Sequence, residues 1–174
     1  MISTQIFMKI QGQGSLTTVK GGCTVPAFKD WIYISYFKWG MNRKSANYAT
    51  IEKEKSKTVT FESLSITKVF DSASAQLLKM LKAEERIRML SIVVVDFTLG
   101  GSKTEKILEV KFQDGHVQSV EIDLKDDDDL SEDVDFSFNT MTFQYFPAAT
   151  AAGGGRATSP MSYDIVPMGE SSEN

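Results

Sequence analysis

The side-chain pattern predicts a mainly β protein, a compact barrel or sandwich of about eight strands with one short α-helix. Three observations point to it. Short runs alternate apolar and polar residues with a period of two, and these runs are rich in aromatic and β-branched side chains. Only the segment after Phe70 switches to helical spacing.

Ile6, Met8 and Ile10 alternate with Gln5, Phe7 and Lys9, which predicts a first strand closed at Gly12 to Gly14. Residues 28–39, "FKDWIYISYFKW", predict one strand with Trp31, Tyr33, Phe37 and Trp39 on one face and Ile32, Ile34 and Tyr36 on the other, covered on both sides. Residues 40–58 have no sustained apolar period and carry a Lys/Glu run, so they read as a long loop. A structureless stretch beyond ~15 residues usually binds something or stays disordered, and composition leaves both open.

Within "VTFESLSITKVFDSASAQLLKML", Val59 and Phe61 occupy one parity and Leu64 and Ile66 the other, so the strand bends or bulges at Glu62 or Ser63. Asp71 or Ser72 then suits a helix cap, and Ala73, Leu77, Met80 and Leu81 share one stripe of a helix over about residues 71–82. The helix's polar face offers only Ser, Gln and Lys, which fits a plug for a sheet better than a catalytic element. "IRMLSIVVVDF" is apolar on both parities and reads as a buried strand. Asp114-Gly115 suits a tight hairpin between "KILEVKF" and "HVQSVEIDL", or a bulge in one longer strand. In residues 134–146 the parity slips once between Phe138 and Met141.

Pro147 ends the core, so the domain is assigned to residues 1–147. A flexible Gly-rich linker follows at 148–161, then a last strand at 162–167 and a frayed tail at 168–174.

At 174 residues the chain suffices for one domain that buries about 70% of its unfolded surface. A net charge of -4 argues against a protein that grips phosphates, so nucleic acid is not an expected partner. One Cys, Cys23, cannot form an internal disulfide, and one Cys with one His does not make a zinc site. Asp126 to Asp129 lack the glycine and ligand spacing of an EF-hand and read as a solvated, self-repelling loop. No catalytic, metal or cofactor site is expected. His116, the single histidine, follows a turn dipeptide without a visible partner, and "QGQGS" lacks the third glycine and the helix of a dinucleotide site.

Residues 1–10 lack the basic start and apolar run of a signal peptide, and no apolar stretch reaches the ~18 residues of a membrane span. Synthesis in the cytoplasm, export without a cleaved signal and no membrane insertion are the matching expectations.

The order of "IFMKIQGQGS", "YFKWGM", the strand-to-helix stretch with Leu64, Ser65, Thr67, Lys68, Asp71 and Ser74, "EDVDFSFNTMTFQYFP" and "SYDIV" resembles the haemolysin-coregulated protein (Hcp) family, inner-tube subunits of bacterial type VI secretion systems. Departures are the Lys/Glu-rich loop, Tyr163 where Trp is usual, and the acidic run. The resemblance implies a β-barrel-like subunit that forms hexameric rings stacked into a tube, alongside sheath and spike proteins, with effectors carried in the lumen and no enzymatic activity. It also implies that the long loop reaches the adjoining ring, with Met41, Tyr48 and Ile51 as apolar anchors, and that Lys38, facing away from the core that holds Phe37 and Trp39, lines the lumen. Two other readings remain: the tail-tube protein of a contractile phage or phage-like particle, and a non-catalytic β-domain that binds protein or carbohydrate through exposed aromatics such as Tyr36 or Tyr48.

Overall fold

The computed structural model describes residues 4–13, 18–43, 59–97, 105–123, 130–146 and 161–164. Tyr48, Ile51, most of the long loop, Asp126 to Asp129, the linker at 148–160 and the tail at 168–174 lie outside the described residues. The strands are β1 (Thr4–Gly12), β2 (Ile32–Ile34), β3 (Tyr36–Lys38), β4 (Met41–Arg43), β5 (Val59–Phe61), β6 (Leu64–Val69), β7 (Ile87–Asp96), β8 (Glu105–Asp123), β9 (Ser131–Tyr145) and β10 (Met161–Asp164). One α-helix, α1 (Ser74–Ala83), joins β6 to β7, and a 3-10 turn at Pro26–Phe28 precedes β2. None of the described helices is long and apolar enough to cross a membrane.

The main sheet runs in the order β2-β1-β7-β8-β9-β6-β3. Each of these pairings is antiparallel, and β10 joins the sheet by pairing with β9. The two ends of this path, β2 and β3, are neighbours in sequence with only Ser35 between them. One stretch of chain therefore supplies both edges, and the sheet nearly closes into a barrel. Ser35 makes the join: its backbone N–H donates to the Thr67 carbonyl at 2.9 Å and its hydroxyl to the same oxygen at 3.1 Å.

This corrects the expectation of one continuous strand covered on both sides. Ile32 and Ile34 point into the barrel and are fully buried, and beyond Ser35 it is Phe37 and Trp39 that pack against the same interior. Inward parity changes at the serine because the chain leaves one neighbour and takes another. The opposite face is open to water, with Tyr33 45% and Tyr36 52% exposed.

The barrel is filled with side chains. Met8, Ile10, Leu64, Ile66, Leu90, Ile92, Phe112, Val134, Phe136 and Phe138 belong to one buried cluster, and α1 adds Leu77 and Met80 to it. A second cluster lies on the outer face of β1 and β7, where Phe7, Phe28, Val93 and Val95 are buried together. Phe7 and Phe28 stack with ring centroids 4.3 Å apart. Two covers, one on each face, explain why β7 is apolar on both parities.

The segment 59–69 breaks as its parity requires: β5 leaves the main sheet to pair with β4 in a separate two-stranded sheet, and β6 enters the barrel. In β9, Phe138 and Met141 are both buried across the parity slip.

The Asp114-Gly115 hairpin is not formed. β8 runs through it as a single 19-residue strand, with Gln113 and Gly115 both paired to β7 and β9. Asp114 takes a left-handed φ of 53°, and a Cβ on Gly115 would sit 2.1 Å from the Ser137 carbonyl oxygen. The glycine answers the close approach of β9 and not a turn. The strand does bulge three residues later, between Val117 and Ser119.

Trp39, expected in the core, stacks on Phe61 at 6.3 Å between centroids, and both stay partly exposed at its rim. Phe136, fully buried, should therefore cost about 3–5 kcal/mol on truncation to Ala, while Phe61→Ala should cost clearly less. Urea denaturation of the two variants checks this; equal losses would show that the rim pair carries as much of the core as the interior does.

Candidate functional site

The turn from β6 into α1 is built around a buried ammonium group. Lys68 lies on the inward face of β6 with no exposed surface, and its Nζ is 2.5 Å from Glu132 Oε1 on β9. It also donates to Ser74 Oγ at 3.0 Å and to the Val69 carbonyl at 2.9 Å, and forms an ion pair with Asp71 Oδ1 at 2.7 Å. Ser74, the first residue of α1, donates its hydroxyl to Glu132 Oε1 at 2.9 Å and accepts the Asp71 backbone N–H at 2.9 Å. The strand, the turn, the helix and the facing strand all meet at one charge.

Asp71 extends this joint outward. Its Oδ1 accepts the Ala73 N–H at 2.9 Å, and its Oδ2 accepts the Gly22 N–H at 3.0 Å from the segment after β1. Ser72 donates its hydroxyl to the Lys20 carbonyl at 3.0 Å. Neither residue is the helix cap that their types suggest. The helix starts at Ser74 with Ala73 as N-cap and no side-chain cap bond, because both polar side chains are engaged in tying the turn to the strand and the preceding segment. Glu132 was not legible as a partner, since nothing local to either residue shows a contact spanning 64 positions.

Lys38 is exposed on β3, while its neighbours Phe37 and Trp39 pack on the core. It lies opposite Ser65 on β6, which in turn lies opposite Asp135 on β9. The Ser65 hydroxyl donates to Asp135 Oδ1 at 2.5 Å and that of Ser119 to Asp135 Oδ2 at 3.0 Å; one register step away Thr67 donates to Asp133 at 2.5 Å. Lys38 thus sits on a polar outer strip that crosses β3, β6, β9 and β8. Met41, 47% exposed, belongs instead to the small β4–β5 sheet, anchored by the Trp39–Phe61 stack, from which residues 44–58 depart.

His116 is exposed, but on a strand rather than after a turn. Its ring nitrogens lie 3.2 Å from Ser137 Oγ, with no third group among the described residues to orient the ring. An open cavity of about 740 Å³ adjoins it where β8 outruns β7, lined by Leu81, Glu84, Arg86, Asp114 and Asn139 among others. Arg86 and Asp114 form a loose, solvent-exposed pair there at 3.5 Å. The described residues contain no group of three or more His, Cys, Asp or Glu side chains placed to hold a metal.

Residues 7–145 match the family model described as type VI secretion system effector, Hcp. No curated protein matches the sequence. Among solved structures, a variant of the Hcp1 protein from E. coli EAEC 042 superimposes with a TM-score of 0.73 at 14% identity, covering 93% of this chain and 99% of that one. Hcp3 from Pseudomonas aeruginosa gives 0.68 at 19% identity over 95% and 100% of the two chains, and Hcp1 from Salmonella typhimurium 0.65 at 22% over 94% and 95%. At such identities these likenesses establish the fold alone.

Because Asp71 serves the ammonium, the turn and the preceding segment at once, Asp71→Ala should cost about 2–3 kcal/mol, more than the ~1 kcal/mol of a lone cap. Ser72→Ala, which loses one exposed hydrogen bond, should cost less than about 1 kcal/mol. Thermal melting of both variants measures the difference, and equal values would mean that the contacts of Asp71 do not act together.

Proposed function

The chain belongs to the Hcp family of type VI secretion proteins, and on that premise we propose that its subunits form hexameric rings, stacked into the inner tube that the secretion machine expels. It is a secreted structural tube subunit with a barrel-like fold. The observation that carries this is the family match over residues 7–145, which reaches all seven strands of the β2-to-β3 path and the plugging helix. Such a role needs no covalent chemistry, because the work of expulsion is done by a contracting sheath; the protein is proposed to act without catalysis or cofactor.

In this reading the β4–β5 sheet and the loop it carries form the stacking arm. Met41 is the exposed apolar anchor at its base, and Tyr48 and Ile51 would add two more farther along. The outer strip around Lys38 would face the lumen, where side chains meet effector cargo. Sheath and spike proteins are the other proposed partners, and export would proceed without a cleaved signal. The tail-tube and isolated binding-domain readings are not favoured, since the family match covers most of the chain.

Negative-stain microscopy and sedimentation of the purified protein test the assembly directly: rings and tubes are expected, and a monomer at all concentrations would overturn it. A Met41→Ser, Tyr48→Ser, Ile51→Ser triple variant should still form rings yet shift stacked tubes toward single rings. Stacking equal to the parent's would remove the loop from the contact. Lys38→Glu should leave ring diameter unchanged while altering retention of co-expressed cargo, and unchanged retention across a cargo panel would count against a lumenal strip.

A further inference from the structure

The Lys68 cluster is a poor way to stabilise a barrel. Both Lys68 and Glu132 have been withdrawn from water, a cost of several kcal/mol for each ion that the attraction between them repays only when every remaining polar atom is satisfied. That condition is not met among the described residues. Glu132 Oε1 takes both the ammonium and the Ser74 hydroxyl, while Glu132 Oε2 is buried without a hydrogen-bond partner. An apolar pair of the same volume would fill the site without this deficit.

What such a pair could not do is hold α1 in one place. The apolar contacts of Leu77 and Met80 with the barrel are non-directional and tolerate sliding and rotation, whereas the hydrogen bonds of Ser74 with Lys68 and Glu132, and the Lys68–Asp71 ion pair before it, fix the first turn against both β6 and β9. The position of the helix has consequences outside the core. β8 has β7 beside it only as far as Gly115, which pairs with Ile87, and it continues to Asp123. The helix ends at the point where β7 takes over, and Leu81 and Glu84 form one wall of the cavity beside the freed part of β8. On the solvent side, Leu78 of α1 and Ile122 of β8 are 38% and 48% exposed. The shape of the subunit along β8 is thus set by where α1 begins.

We propose that Lys68, Glu132 and Ser74 are positioning residues for assembly: they fix α1 so that the subunit presents the surface along α1 and β8 that a second copy of the chain must meet. This rests on the tube-subunit reading. The cluster contributes geometry, and its loss is felt in rings before it is felt in folding.

The test compares the parent with a Lys68→Met, Glu132→Leu double variant and with Ser74→Ala, which leaves the ion pair in place but cuts its link to the helix. The double variant should melt at or above the parent temperature, while amide exchange through Ser74–Ala83 accelerates and that of β6 and β9 does not. Both variants should lose ring-sized species in sedimentation at concentrations where the parent forms them, Ser74→Ala needing roughly tenfold more protein, the factor that 1.4 kcal/mol makes in an equilibrium. A double variant that melts well below the parent would overturn the proposal, because the cluster would then be a stabilising device. Variants that assemble like the parent with slowed or unchanged helix exchange would overturn it as well. A parent that never forms rings would instead sink the tube reading, and the exchange measurement would still decide whether the cluster pins the helix.

Discussion

Closure of the sheet by a single stretch of chain is the constraint from which the rest of the structure follows. Because β2 and β3 are consecutive, β1 and β6 must come to lie on either side of the same short segment, and the five strands between the two ends have to span the circumference in a fixed order. An open sheet of these strands would hold its two edges far apart; here the two ends of the path meet at Ser35. Ser35 can make the crossing because its small side chain turns back onto the Thr67 carbonyl instead of demanding a place on either face. The inward residues on its two sides, Ile34 and Phe37, then meet a common interior although they belong to different edges.

Closure leaves one place where the wall is unequal, since β8 and β9 are much longer than β7 and β6. The helix occupies the difference, and the chain reaches it through the Lys68 turn. Motif residues that look like candidates for chemistry, a lysine, an aspartate and a serine at close spacing, are spent on this joint. Their proximity is real, but the group they surround is an ammonium with its carboxylates already in place. The contacts proposed for assembly and cargo lie on surfaces instead: the small sheet that carries Met41 and the polar strip that carries Lys38.

Much of this architecture was legible in the residues, and the failures are instructive. The parity slip at Glu62–Ser63 announced a change of sheet, because burial on one face forces a period of two; the slip between Phe138 and Met141 did not announce a bulge, since β9 keeps its register with β8 there. The doubly apolar β7 was legible for the same reason. Ser35 was not, since a serine among aromatic and β-branched residues is compatible with an uninterrupted strand, and only the identity of its two neighbours across the sheet reveals the change. Asp114-Gly115 left a hairpin and one longer strand both open, and the structure takes the longer strand, because one dipeptide serves two needs: glycine permits a turn, and it also permits another backbone to approach. The position of the helix start was displaced by three residues for a comparable reason. Asp71 has the composition of a cap and makes the bond of one, but to the turn before the helix, under the pull of a lysine whose other partner lies far along the chain. The sites proposed from resemblance show the same division. The environment of Lys38 could be read from the structure, whereas Tyr48 and Ile51 lie beyond the described residues.

The outer aromatic cluster bears on how the chain is made. Phe7 is opposite Val93 in the β1–β7 pairing, and the face they share is covered by Phe28. At ~5–20 residues per second, Val93 leaves the ribosome on the order of ten seconds after Phe7, and the β8–β9 pair follows later still. Throughout that interval β1 has only the short β2 as a partner, and both apolar faces of the nascent strand stay wet. Long-range pairings of this kind make folding slow, so the N-terminal third is the part of the chain with most need of chaperone protection during translation. Once β7 arrives, both faces of β1 are covered together, on the inside by the barrel core and on the outside by the Phe28 ring, and the least protected strand of the nascent protein becomes one of the most deeply packed in the finished one.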